Sequence, residues 1–216
     1  MFKTETHIHT KNSSGCGWLF AEEMVKEYHD AGYSTIVITD HFSIDNVAWE
    51  EKVKKSLLGY YKAKEVSEKY NINVLMSTEM EFEKNKPNHY LIYGITEEFL
   101  LSNPDVNKMG IEEFSHIAKE NNLFIVQAHP HRNKTCYPTP KFVDAIEIYN
   151  GNPRHSDYSD KSLKVAEDNN LYKTAGSDAH RKEDIARSGI ITDIEIKSID
   201  DLIEAIKNTN VKIIYP

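Results

Sequence analysis

The sequence predicts an α/β fold assembled from parallel βα units, on three observations. Short runs rich in β-branched and aromatic residues alternate with segments of helical period along the whole chain. Several of these runs end on a histidine, aspartate or glutamate. No Pro/Gly/Ser-rich linker, low-complexity tract or internal repeat divides the alternation, so 216 residues, 39% of them apolar, are expected to bury one core as a single domain, residues 1–216.

The elements follow in order. A first strand is expected at residues 3–9, and residues 21–30 read as a helix closed by Gly32, with Met24 and Tyr28 four apart on one face. A strand at 35–39 precedes a long helix at 47–70, whose charges Glu50, Glu51, Lys52, Lys54 and Lys55 mark a solvated side. Apolar runs place strands at 73–77 and 90–93, then a helix at 110–121 and strands at 123–127 and 145–149. A helix at 157–169 and strands at 172–175 and 189–192 come next. The last pair is a helix at 199–208, begun by Ser198 and Asp200 as a cap, and a strand at 212–214.

Acidic residues outnumber basic ones 34 to 26, a formal charge of −8, with the two signs interspersed and no lysine-arginine block. Such a chain does not track a duplex phosphate backbone, so duplex nucleic acid is not an expected partner. A small anionic substrate is compatible, because divalent ions beside two carboxylates leave a local positive charge. No segment approaches the ~18 apolar residues of a membrane span, and the first residues carry no apolar signal core. Cys16 and Cys136 are too few for a disulfide framework. A cytoplasmic protein without membrane attachment is expected, its oligomeric state open.

Seven metal-capable side chains stand at or just after apolar stretches: His7, His9, His41, Glu79, His129, Asp178 and His180. In an extended chain residues i and i+2 face the same way, about 6.6 Å apart at Cα. His7-x-His9 and Asp178-x-His180 can therefore each aim two ligands at one centre. Singly, each motif has an ordinary alternative, such as an Asp-His that caps a turn. Their joint occurrence at the expected carboxyl ends of strands is not a packing pattern, and it makes a catalytic centre at one rim of an α/β scaffold the leading reading.

Together, His7-x-His9, Thr39-Asp40-His41, Glu79, Ala128-His129-Pro130 and Gly176-Ser177-Asp178-x-His180 resemble the ordered motifs of the PHP (polymerase and histidinol phosphatase) family over residues 4–191. The resemblance implies a distorted (β/α)7 barrel with two or three divalent ions at one end and, in most enzymatic members, hydrolysis of phosphate esters. It implies one ion on His7, His9, Glu79 and Asp178, a second bridged by Glu79 and held by His129 and His89, and a third on His41 and His180. The chain departs from the family pattern at residues 11–17, which supply no carboxylate or imidazole. There Cys16 is either a soft ligand for Zn²⁺ or a loop thiol without a role. Imidazole and carboxylate donors suit Zn²⁺, Mn²⁺ or Fe²⁺.

On this reading a metal-bridging hydroxide is the nucleophile. Arg132 and Arg154 each follow an expected strand and are either phosphate clamps or surface charges paired with acids. His131 and His155 are candidates to protonate the leaving alkoxide. Asp40 is expected to orient an imidazole by hydrogen bonding. His29 and His116 fall in helical patterns and read as structural or surface residues. The expected function is a metal-dependent phosphoesterase for a small phosphorylated metabolite or nucleotide. Amide or cyclic-ester hydrolysis at the same ions, and a noncatalytic metal-stabilised module, stay open.

Overall fold

The computed structural model describes residues 1–43, 47–156, 158–208 and 211–216. In chain order the elements are β1 (Phe2–Ile8), α1 (Ala21–Asp30), β2 (Thr35–Ile38), α2 (Trp49–Ser67), β3 (Asn73–Met76), β4 (Glu79–Glu81), β5 (His89–Tyr93), α3 (Glu97–Ser102), α4 (Ile111–Glu120), β6 (Phe124–Ala128), β7 (Ala145–Asn150), α5 (Ser159–Asp168), β8 (Tyr172–Gly176), β9 (Gly189–Thr192), α6 (Ile199–Lys207) and β10 (Lys212–Ile214). The helix expected from Asp157 is seen as α5, and Asp157 itself lies outside the described residues.

The strands form two five-membered sheets, in the orders β10-β9-β1-β2-β3 and β4-β5-β6-β7-β8. Parallel pairing holds within β1-β2-β3 and within β6-β7-β8. The remaining ladders are antiparallel, which corrects the expectation of uniform βα units. One reason is connection length: residues 82–88 between β4 and β5 are too few for a parallel crossover, which takes a dozen or more. The hydrogen-bonded ladders give two sheets, and a closed (β/α)7 barrel is not shown among the described residues. The sheets meet through single parallel bridges, Ile8 to Ala179 and His41 to Glu79, just past the ends of β1, β2 and β8. Asp178 holds the left-handed region there (φ 49°).

Packing follows the expected stripes. Ala21, Met24, Val25 and Tyr28 line one side of α1 and bury against Ile8, Ile36 and Ile38 of the first sheet. Its start is capped by Glu23, whose Oε2 accepts the Phe20 N–H at 2.8 Å. A second core gathers Phe42, Val53, Phe82, Tyr90 and Phe114 around β4 and β5. Gly59 lets α2 approach the rim, since a Cβ there would stand 2.1 Å from the Asp40 carboxylate and 2.2 Å from the Thr10 hydroxyl. Two elements were not expected, β4 and α3; β4 has three residues and two of them are acids, which hides it from a β-propensity reading. Among the described residues no helix is long and apolar enough to cross a membrane.

Candidate metal centre

Glu5, His7 and His9 share one face of the chain at β1, as the two-residue period requires, and all three are fully buried. Glu5 ties the first motif to the last. Its Oε1 accepts the backbone N–H groups of Thr6 (2.9 Å), His7 (3.0 Å) and Ser177 (2.8 Å), and its Oε2 accepts the Tyr28 hydroxyl (2.8 Å). Gly176 makes this approach possible, because a Cβ there would stand 2.4 Å from the His7 Cβ. His129 (φ 29°) and Asp178 (φ 49°) both hold the left-handed region, a cost of roughly 1–2 kcal/mol each that the surrounding contacts must offset.

Glu79, at the start of β4, is the hub. Five imidazoles surround its carboxylate: His41 Nδ1 at 2.9 Å, His129 Nε2 at 3.0 Å, His89 Nδ1 at 3.2 Å, and His7 and His9 Nε2 at 3.4 Å. Asp178 faces the same space, 3.2 Å from His9 and 3.5 Å from His7. His89 reaches this rim because β5 runs antiparallel to β4 and β6, so its first residue lies beside the last of β6. Glu79 Oε2, both Asp178 oxygens, His9 Nδ1 and His89 Nδ1 are buried without a well-formed hydrogen bond. His7 and His9 point their Nε2 atoms at one another across 3.1 Å. Buried acceptors left unpaired and facing ring nitrogens are an unfavourable arrangement on their own and a fitting donor set for divalent cations.

The electrostatics agree. Burial opposes ionisation of Glu79, but His89, His41 and His7 outweigh it and hold its carboxyl well below the usual range. Asp178 behaves alike, burial being overcome by His7, His9 and His129. Burial works against a charge on His7, yet Glu147, Asp178 and Glu79 raise its pKa well above the ordinary value. His9 goes the other way, lowered by burial and by neighbouring His41 and His180.

A second group adjoins the first: His9, Cys16, His41 and His180 bring donor atoms within 4.8 Å of one another. Here His9 stacks on His41 with ring centres 4.3 Å apart. Burial raises the Cys16 thiol pKa, but hydrogen bonds from His180 and His41 bring it down to about 6. Asp40 does not orient an imidazole directly, which corrects the expectation for it. Its carboxylate accepts from Thr10 N (2.6 Å), Thr10 Oγ1 (2.7 Å) and Ser14 Oγ (2.7 Å), while Ser14 Oγ accepts the His41 N–H at 2.9 Å. Asp40 thus knots the loop after β1 to the loop after β2.

A cleft of about 260 Å³ beside this group is lined by Cys16, Trp18, Arg132, Asn152, Arg154, His155, His180 and Arg181. Arg132 bridges its wall to the donors, with one guanidinium nitrogen 3.4 Å from Asp178 and another 2.6 Å from His155 Nε2. Burial and Arg132 lower the pKa of His155. Arg154 is committed elsewhere: both terminal nitrogens donate to Asp184, each at 2.6 Å. His131 joins none of the contacts among these donors, and its pKa is lowered by burial and by Lys161. His29 and His116 lie exposed on α1 and α4, as expected.

Sequence reasoning passed over Glu147. This buried residue of β7 accepts from His7 Nδ1 (2.9 Å), the His129 backbone N–H (2.9 Å) and Asn150 Nδ2 (2.9 Å). The available signal was a lone charge inside the apolar run Ala145-Ile146-Glu147-Ile148. Glu5, also passed over, carries the same signal more weakly among threonines.

Known proteins place this arrangement. No curated protein sequence matches the chain. Among solved structures, the fold resembles a two-domain protein from Bacteroides vulgatus containing a predicted PHP-like metal-dependent phosphoesterase, with a TM-score of 0.73 at 18% identity over 99% of this chain and 64% of that one. The chain therefore spans less than two thirds of that protein. It also resembles a lesion-specific endonuclease from Pyrococcus furiosus (TM-score 0.66, 17% identity, 98% of this chain, 57% of that one). A third likeness is to an amidohydrolase from Chromobacterium violaceum (TM-score 0.59, 15% identity, 97% of each chain). At the level of sequence, the PHP domain matches residues 5–101 and the PHP-associated region matches residues 158–211. The chain thus carries a PHP domain followed by a PHP-associated region.

Proposed function

We propose that the chain is a metal-dependent phosphoesterase that hydrolyses a small phosphorylated metabolite or nucleotide. Two or three divalent ions (Zn²⁺, Mn²⁺ or Fe²⁺) would be held by His7, His9, His41, Glu79, His89, His129, Asp178 and His180. Bound there, such ions supply Lewis-acid polarisation of the phosphoryl group and a water acidic enough to attack at neutral pH.

The chain's own groups do the rest. Glu147 accepts from His7 Nδ1, which presents the Nε2 of that ring to the centre. Arg132 offers a planar cation beside Asp178, positioned to take a phosphoryl oxygen in a two-point contact. An anion on Arg132 would cancel its repulsion of a proton on His155, so that His155 can protonate the leaving oxygen. Arg154, held by Asp184, supports the cleft wall. The same reading takes residues 1–216 as one cytoplasmic domain acting on a free small substrate rather than on duplex nucleic acid, in keeping with its interspersed charge.

The observation that carries the proposal is the set of unpaired Glu79 and Asp178 oxygens among imidazoles, with Arg132 alongside. The test is phosphate release by metal-loaded protein from p-nitrophenyl phosphate and a panel of sugar phosphates and nucleotides, with His9→Ala as the control. The likeness to an endonuclease and to an amidohydrolase recommends adding a single-stranded oligonucleotide and an N-acyl amino acid. Turnover of a phosphate ester lost in His9→Ala is the expected result. Turnover of only the N-acyl substrate, or none by a fully loaded protein, would overturn it.

A further inference from the structure

We propose that Cys16 is a metal ligand, forming with His41 and His180 a sulfur-bearing site beside the Glu79–Asp178 centre that prefers a thiophilic divalent ion such as Zn²⁺ to Mn²⁺ or Mg²⁺. The inference rests on the metal-dependent reading above and concerns which donor this chain uses where its loop lacks a carboxylate and an imidazole. Four side chains, not a lone thiol, define the place: donor atoms of His9, Cys16, His41 and His180 lie within 4.8 Å of one another. His180 Nδ1 is engaged by the Asp178 carbonyl oxygen at 2.7 Å, which leaves its Nε2 as the free ring nitrogen. His9 adds an independent sign, since it is fully buried and its Nδ1 has no hydrogen-bond partner.

The loop that carries Cys16 is built to hold it there. Ser14 N–H donates to the Thr10 carbonyl (2.9 Å), Gly17 N–H to the Ser14 carbonyl (3.0 Å) and Trp18 N–H to the His180 carbonyl (2.8 Å), so the thiol is bracketed on both sides. Gly17 has to be glycine for this fold-back, as a Cβ would stand 2.5 Å from the Thr10 carbonyl carbon and oxygen. Cys16 is exposed, so it fills no core, and the ordinary reason for a cysteine to face three imidazoles is absent. Thiolate with two imidazoles is a borderline-soft donor set that favours Zn²⁺ over harder ions. Three protein donors with a position left open is also the pattern of catalytic rather than structural zinc, and the cleft containing Trp18, Arg132 and Arg181 adjoins this one.

The test uses the full chain, stripped with a chelator and titrated with Co²⁺. A near-ultraviolet sulfur-to-cobalt charge-transfer band is expected in the wild type. It should vanish in Cys16→Ser together with one bound ion, and in Cys16→His the band should vanish while that ion is retained. In the wild type, Zn²⁺ should slow alkylation of Cys16 by iodoacetamide relative to Cys136, a readout that needs no variant. Cobalt bound without the band, a band that survives in Cys16→Ser, or a Cys16 alkylation rate indifferent to Zn²⁺ would each overturn this proposal and leave the Glu79–Asp178 reading standing. A protein that binds no cobalt at all would overturn both.

Discussion

Glu147→Gln isolates the positioning of a ligand from the ligand itself. The substitution keeps the shape of the side chain but exchanges one acceptor oxygen for a donor amide. Glu147 Oε2 faces two N–H donors, from His129 and Asn150, whereas Oε1 faces only His7 Nδ1. The amide group therefore settles opposite His7, where it donates. His7 Nδ1 must then accept, and the neutral ring carries its proton on Nε2, the atom that faces His9, Glu79 and Asp178. A protonated Nε2 cannot bind a cation. Loss of such an orienting partner weakens metal binding roughly 10- to 100-fold, or about 1.4–2.7 kcal/mol. Competition titration against a chromophoric chelator measures it directly, and circular dichroism of the metal-free variant checks that the fold is kept. Metal affinity within a factor of about two of wild type would refute the reasoning, because the tautomer argument leaves no route to an unchanged site.

Other perturbations separate the remaining roles. Arg154→Ala strips the partner from a fully buried Asp184; breaking a buried pair costs ~3–5 kcal/mol, and with the Arg154 side chain 30% exposed about 2–3 kcal/mol is expected, a fall of roughly 4–12 °C in Tm. An unchanged Tm with a large loss of kcat/KM would instead make Arg154 a substrate contact. The folded state holds the Asp184 carboxyl below 3.8, burial being outweighed by Arg154 and by the His180 and Arg181 N–H groups. The unfolded chain therefore takes up the proton first, so the stabilisation is full above the ordinary carboxylate value and lost as pH falls through the folded one. Urea midpoints taken from about pH 5 down to about pH 3 should drop less in Asp184→Asn than in wild type. Arg132→Ala should lower kcat/KM for a phosphate ester by roughly 10- to 150-fold, the worth of a charged hydrogen bond, with little change in Tm. Chelation should lower Tm by roughly 5–11 °C relative to protein at an ion concentration about a hundredfold above Kd.

Much of the fold was legible because its signals are local. The apolar stripe of α1 and the β-branched run of β2 declare themselves within a few residues, and both appear as expected. His7-x-His9 and Asp178-x-His180 carry their own spacing, so their convergence could be anticipated. What stayed hidden depends on partners distant in sequence. Nothing near Arg154 announces that Asp184, thirty residues on, will take both of its nitrogens. Asp40 looked like a partner for an imidazole because His41 follows it, yet its neighbours in space are Thr10 and Ser14. The antiparallel turn of β4 and β5 was masked by the acids of β4, and with it the reason why His89 reaches the rim. Glu147 lay inside a strand pattern that attracts attention for packing rather than for chemistry.

The bridges Ile8–Ala179 and His41–Glu79 join the two sheets, and that seam parts the donors unevenly. His7, His9 and His41 come from the segment before residue 77, while Glu79, His89, His129, Asp178 and His180 come from the segment after it. A cut between Met76 and Glu79 would thus leave neither fragment with a complete coordination set. Mixing the fragments would restore one only by re-forming the junction. Cations bound across it would act as clasps, making ion retention a reporter of whether the two segments remain docked.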